Sequence, residues 1–211
     1  TLLSQLMEHR ADIKQKDLWT KDTPLFHIKD VDDGMIKTLT DAGVEIDAQN
    51  HRGLTAAYNA ILHLRYDTFG KMLAAGANPN ITPDDMPPLM SLMLNNVSGR
   101  QDAMWRAIWT AVDHGLKTDG MCDGADTLFH KAVRLKDYKA AKRAAKMCRN
   151  IAKPDVNGDR PLHTALAQQD IDNINLVLDA CDRYPKHKNK SGFEPLDIIM
   201  QNPAFYLKRP D

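Results

Sequence analysis

Gly158-Asp159-Arg160-Pro161-Leu162-His163-Thr164-Ala165 is the stretch that decides the fold. A glycine turn leads into a helix whose first turn holds proline, with Leu and Ala three residues apart on one face. Gly53-Leu54-Thr55-Ala56-Ala57-Tyr58-Asn59-Ala60 repeats the outline, and Thr127-Leu128-Phe129-His130-Lys131-Ala132 and Thr23-Pro24-Leu25-Phe26-His27-Ile28 are two further copies. Looser ones stand at Pro87-Pro88-Leu89-Met90 and Glu194-Pro195-Leu196-Asp197. The anchor positions Thr23, Thr55, Pro87, Thr127, Arg160 and Glu194 are separated by 32, 32, 40, 33 and 34 residues. A period near 33 is that of a turn plus two helices. The spacing of 40 predicts an insertion in the third unit, around Asn95 to Asp102.

The second half of each unit reads as an apolar helix with a stop. Met35, Ile36 and Leu39 precede Ala42-Gly43-Val44; Phe69, Met72 and Leu73 precede Ala75-Gly76-Ala77; Trp105, Ile108, Trp109 and Val112 precede His114-Gly115-Leu116. Apolar residues at three- and four-residue spacing give each helix one stripe to bury, and glycine after the last turn takes the left-handed conformation cheaply. The fourth and fifth units stop differently, at Cys148-Arg149-Asn150 and Ala180-Cys181-Asp182. Thr is a cap for the first helix, and one unit cannot cover its own apolar face, so units must stack. Asn50-His51-Arg52-Gly53, Asp155-Val156-Asn157-Gly158 and Asn189-Lys190-Ser191-Gly192 read as fingertip turns between units.

Together these copies resemble ankyrin repeats over nearly the whole chain. The resemblance implies an all-α solenoid of stacked helix-turn-helix units whose work is protein binding. Ala56 and Leu128 stand where the family has proline and Asp85 where it has glycine, which bears on unit boundaries. The expected organisation is a single domain over 1–211. Residues 1–22 give the second helix and turn of a truncated unit, 23–193 five units, and 194–211 a C-terminal capping unit. Leu2, Leu3, Leu6 and Met7 look like half a unit and predict a longer protein continuing N-terminally. Pro203, Phe205, Tyr206 and Pro210 suggest an atypical cap.

Composition agrees. Apolar residues make up 43% and charged ones 27%, with 28 basic against 28 acidic. No global field therefore steers the chain to nucleic acid or acidic lipid, so any such preference must come from local patches. No apolar run of about 18 residues could span a membrane, and Thr1 to Arg10 is no signal peptide. Cys122, Cys148 and Cys181 form no disulfide framework and fit a reducing, cytoplasmic setting. A monomer is expected.

No catalytic, cofactor or metal motif is present: HExxH, P-loop, GxSxG and the Gly-rich dinucleotide turn are all missing from the sequence. The resemblance gives His130 and His163 a structural role, bonding backbone within the turn. Cys122 lies eight residues before His130, but in an inter-unit turn beside a packed helix, so they make a poor nucleophile pair. Asp84-Asp85 reads as a solvated fingertip rather than a carboxylate dyad.

In ankyrin-type stacks the fingertips and first helices form a concave face for a folded protein. Carried over unit by unit, that pattern implies Trp19, Thr20, Asp22 and Asp30; His51, Arg52, Leu54, Leu62 and His63; Asp84, Met86, Leu94 and Asn95; Asp123, Asp126 and Arg134; and Val156, Asn157 and Asp159. Trp19 reads either as a binding hot spot or as a cover for its neighbour. Asp22, Asp84, Asp85, Asp123, Asp126, Asp155 and Asp159 would make the face negative and favour a basic partner. Trp105 and Trp109, four apart, read as core. Between Lys131 and Lys153 there are nine basic residues and one acidic, Asp137. That stretch reads as the solvated face of an outer helix or as a binder of calmodulin or acidic lipid.

A narrower resemblance rests on His51-Arg52-Gly53-Leu54-Thr55-Ala56 and Gly192-Phe193-Glu194-Pro195-Leu196-Asp197. These are similar to the C-terminal ankyrin halves of bacterial type III effectors of the OspC type. In that family the ankyrin half recruits a host caspase, and a separate N-terminal half modifies a caspase arginine using NAD (ADP-riboxanation). The resemblance implies a substrate-recruiting module without catalytic residues or cofactor, secreted into the host cytosol.

Overall fold

A computed structural model describes residues 9, 12–28, 34–95, 101–118, 127–147, 151, 153–180 and 186–201. The chain divides into two compact units, 1–117 and 118–211. Among the described residues all regular structure is helical.

The first unit holds a 3-10 turn, Pro24–His27, then α1 (Met35–Asp41), α2 (Ala56–Leu62), α3 (Tyr66–Ala74), α4 (Leu89–Asn95) and α5 (Gln101–Asp113). The 3-10 turn, α2 and α4 stack in series, while α3 packs on α2 and on α5. The second unit holds α6 (Leu128–Arg134), α7 (Tyr138–Met147), α8 (Pro161–Ala167), α9 (Ile171–Ala180) and α10 (Pro195–Gln201). There α6, α8 and α10 form one layer, and α7 and α9 the other. The fold is thus a pair of helical layers within each unit, as the repeat requires.

Local chemistry explains the helix starts. Thr55 Oγ1 accepts from Tyr58 N at 3.2 Å, and Thr127 Oγ1 accepts from His130 N at 3.2 Å. Such a cap satisfies one of the donors that a helix start leaves open. Pro24 and Pro161 open their elements. The first repeat departs from expectation: Thr23 makes no cap bond, and only a four-residue 3-10 turn follows it. A seven-residue helix such as α2, α6 or α8 is too short to stand alone and depends on stacking.

The stops follow the sequence. Gly43, Gly76 and Gly115 take φ of 89°, 97° and 88° after α1, α3 and α5. The helix-to-helix connections do not announce themselves: Leu64, Lys136 and Gln169 take φ of 56°, 54° and 55° without being glycine. Each closes the same end motif; Arg65 N reaches Ala60 O and Asp137 N reaches Ala132 O, at 2.8 and 3.0 Å.

Leu25, Leu39, Ile61, Phe69, Leu73, Met93, Met104 and Ile108 fill the first core; Phe129, Ala132, Val133, Leu162 and Ala165 fill the second. Each large side chain of this kind contributes roughly 1.5–3 kcal/mol by leaving water. Trp105 is buried as expected and stacks on half-buried Trp109, ring centres 5.5 Å apart. In the long third repeat α5 runs 13 residues where α3 has 9. The connection 96–100 lies outside the described residues, as do Leu2 to Met7, the cap residues Pro203, Phe205, Tyr206 and Pro210, and all three cysteines.

Candidate functional site: the fingertip turns

Three turns share one construction. In Asn50–Leu54 the first residue's N–H donates to Leu54 O at 2.9 Å, and its Oδ1 accepts from Arg52 N and Leu54 N at 2.9 and 3.0 Å. Asp155–Asp159 repeats this with 2.8, 2.8 and 2.9 Å, and Asn189–Phe193 with 2.9, 3.0 and 3.0 Å. A side-chain oxygen three bonds from its own Cα can close such a loop without any strand.

Asp17–Asp22 is the same turn with one more residue. Asp17 N donates to Asp22 O at 2.9 Å, while Asp17 Oδ1 accepts from Trp19 N, Thr20 N and the Thr20 hydroxyl at 2.9, 2.7 and 2.9 Å. The Thr20 N–H, followed by that of Trp19, holds this carboxyl below its ordinary range. Lys21, φ 59°, stands where the other turns have glycine. The additional residue falls at the tip, so Leu18 and Trp19 project with 74% and 87% exposure. Val156 occupies the corresponding tip at 47%.

Neighbouring turns are zipped together, once in each unit and in the same way. His51 N donates to Thr20 O, and Lys190 N donates to Asn157 O, both at 2.9 Å. Asn50 Nδ2 donates to Asp22 Oδ1, and Asn189 Nδ2 to Asp159 Oδ1, both at 2.8 Å. Beneath them the residue at the family's His position reaches the next turn. Tyr58 OH donates to Pro87 O at 2.6 Å; His130 Nε2 faces Asp159 O and His163 Nε2 faces Phe193 O, each at 3.1 Å. A carbonyl can only accept, so each Nε2 carries a proton and donates it. Arg160 N donates to His163 Nδ1 at 3.0 Å, and His130 Nδ1 faces the Thr127 hydroxyl at 3.0 Å. The backbone bond within the turn expected for these histidines is present at His163, whereas His130 bonds the Thr127 side chain instead; each ring adds a second bond to the next repeat.

Burial, partly offset by the bond to the Asp159 carbonyl, pushes His130 down to about 4. Its folded value lies below the ordinary 6.5, so between pH 6.5 and 4 the unfolded chain binds more protons and stability falls as pH falls. From pH 7 to pH 5 the unit holding α6 is expected to lose about 2 kcal/mol, read by hydrogen exchange. His130→Gln should remove most of that slope; an equally steep slope in the variant would place its origin elsewhere.

The structure sorts the expected binding residues. Trp19, His51, Arg52, His63, Asp84 and Asn157 are exposed, and Thr20 and Met86 half-exposed. Leu54, by contrast, is 2% exposed and points inward, so it is removed from the surface; Leu94 is buried as well, and Leu62 half-buried. Asp155 is buried, while Asp22 and Asp159 are half-buried with one carboxylate oxygen taken by the next turn. Asp22 and Asp159 take the Asn side chains, and Asp155 closes its turn and pairs with Arg134 at 3.1 Å. Of the expected acidic residues Asp155 is thus withdrawn from the surface, and the first two tips carry Leu18, Trp19, Lys21, His51 and Arg52. Asp30, Asp123, Asp126 and the Asn95 side chain lie outside the described residues. Sequence reasoning passed over Leu18 and the Asn–Asp links. A signal for the links was present, since Asn50 and Asn189 follow Asp22 and Asp159 by 28 and 30 residues.

Among the described residues no cluster of three His, Cys, Asp or Glu could hold a metal ion, and no helix is long and apolar enough to cross a membrane. Two shallow grooves of about 450 and 480 Å³ lie between second helices, one lined by Tyr66, Asp67, Arg106 and Thr110, the other by Lys37, Thr40 and Asp41. Neither touches the turns.

Repeated helix pairs, Thr and His caps and Asx-closed turns define a helical repeat protein, and the chain has the ankyrin-repeat fold. It is similar to the ankyrin repeat domain of Bcl-3, of the IkappaB protein family (TM-score 0.66, 15% identity, 93% of this chain and 86% of that one). The human ASB11 ankyrin repeat domain matches with TM-score 0.64 and 16% identity, over 99% of this chain and 92% of that one. A chain from the complex of the predatory endopeptidase Bd0816 of Bdellovibrio bacteriovorus with the immunity protein Bd3460 matches with TM-score 0.61 and 21% identity, over 82% and 90%. No family model and no curated protein matches the sequence.

Proposed function

We propose that this chain is a non-catalytic module that binds a folded protein through its fingertip turns, with Trp19 as the anchor. The observation that carries the reading is the tip of the first turn. Leu18 and Trp19 stand 74% and 87% exposed on a loop held by three bonds to one carboxylate and zipped to the next turn. Exposed apolar side chains on a rigid loop give a fold no stability, while Trp and Arg dominate binding hot spots and preorganisation lowers the entropy of docking. Arg52 stands exposed on the neighbouring turn. Similarity to a chain of the Bdellovibrio endopeptidase–immunity protein complex is in keeping with this role.

Crosslinking with the full chain as bait, followed by mass spectrometry, identifies the partner. Trp19→Ala is then expected to weaken its affinity by thirtyfold or more, about 2 kcal/mol, with no change in melting temperature. Wild-type affinity in that variant would remove the first turn as anchor. The finer reading, recruitment of a host caspase by an effector of the OspC type, is supported by the stretches His51 to Ala56 and Gly192 to Asp197. Its test is direct titration with purified caspases, and absence of saturable binding would end it.

A further inference from the structure

Helix α7 carries one sign of charge. Lys139, Lys142, Arg143 and Lys146 are all exposed, and Ala140, Ala141 and Ala144 are buried against the neighbouring helices. Asp137 turns its carboxylate to the helix's own Ala140 N–H at 3.0 Å. On the adjoining α9, Asp172 and Asp179 are exposed. The spacings 139/142, 139/143, 142/146 and 143/146 are all like-charge neighbours on a helix, each of which destabilises it. An external array of negative charge would relieve that repulsion. At the start of the line Tyr138, 44% exposed, lies under the Lys142 ammonium, 6.0 Å from ring centre to Nζ.

We infer that this face is a second docking surface, for an anionic lipid bilayer. The helix cannot be the target of a groove-binding protein, because the small alanines that such a groove would grip already pack on α6 and α9. Three of the four cations are lysines, compact point charges without the planar fork that makes arginine suited to bases and phosphates of a duplex. Such charges along a straight helix of 10 residues, about 15 Å, match a fluid headgroup plane. A half-exposed tyrosine beside them is the aromatic type enriched at that depth. Binding rests on charge alone, so it is peripheral and salt-sensitive.

The test is sedimentation of the full chain with vesicles of phosphatidylserine and phosphatidylcholine at roughly 50 mM salt. Binding is expected to the mixed vesicles, to be lost on pure phosphatidylcholine, and to be lost at about 0.5 M salt. Each cation near such a surface strengthens partitioning about fivefold, so the triple variant K139Q/K142Q/K146Q should bind about a hundredfold more weakly. Its melting temperature should be no lower than that of the parent. The variant K186Q/K188Q, altered at two exposed lysines outside α7, should bind within a few-fold of the parent. Three outcomes would overturn the inference: equal binding to neutral vesicles, equal losses in both variants, or tighter association with duplex DNA than with vesicles at matched salt.

Discussion

Gly158→Ala is expected to destabilise the second unit by about 3 kcal/mol or more, the largest effect among the turns. Two costs add. Gly158 has φ +77°, which costs an L side chain roughly 1–2 kcal/mol. A Cβ there would also stand 2.9 Å from Lys190 N, 3.2 Å from Asn189 Cα and 3.3 Å from Asn189 C. All three are backbone atoms of the next turn, held in place by the Lys190 N to Asn157 O bond, so no side chain can swing aside. Gly192 offers the control. Its φ is +85°, but nothing lies within 4 Å of its Cβ position, so Gly192→Ala should cost only about 1 kcal/mol. Gly53, with Pro83 Cβ at 3.4 Å, falls between. All three tryptophans, Trp19, Trp105 and Trp109, lie in the first unit, so their fluorescence is blind to this change. Hydrogen exchange in α8, or loss of helical circular dichroism with denaturant, reads it. Equal costs at Gly158 and Gly192 would mean that the two turns are not in contact.

Asp155 gives the second large effect, and a sharper contrast. Its side chain is 2% exposed; one oxygen accepts two backbone N–H groups, and the other takes Arg134. Asp155→Ala strips the acceptor from both donors and should cost about 3 kcal/mol. Asp155→Asn keeps the closing oxygen and loses only the pairing with an Arg134 that is 43% exposed, for which less than about 1 kcal/mol is expected. Asn50 and Asn189 already fill this position in the sister turns, which is the physical reason to expect tolerance. If Asn costs as much as Ala, the ion pair rather than the turn holds the loop.

How much of this was legible depended on whether the signal was a residue type or a meeting of residues. Thr55, Thr127, Pro161, His130, His163 and the glycines after α1, α3 and α5 carry their conformations in their chemistry, and the repeat period placed them. Leu64, Lys136 and Gln169 do not; their left-handed conformation is imposed by the packed helices on either side. The first repeat misled because Thr23 has the cap residue without the helix. At the candidate site Trp19 was legible as an oddity. The bonds that Asp22, Asp155 and Asp159 make within and between turns were not, since an acidic residue in a turn looks the same in sequence whether it holds the loops or meets a partner. Leu54 failed for a related reason: in Asp155–Asp159 and Asn189–Phe193 the same slot holds Asp159 and Phe193, so the slot itself does not dictate burial.

The turns hold themselves by their first residue, their backbone and the links at their feet. In Asp155–Asp159 and Asn189–Phe193 no side-chain bond of the two residues between the closing Asx and the glycine is needed to keep the loop shut. Those tip positions are therefore free to drift under selection. A lineage could exchange one binding target for another by two substitutions at a tip while the scaffold's folding is untouched. The same freedom explains how such proteins keep their architecture long after their sequences have diverged beyond mutual recognition.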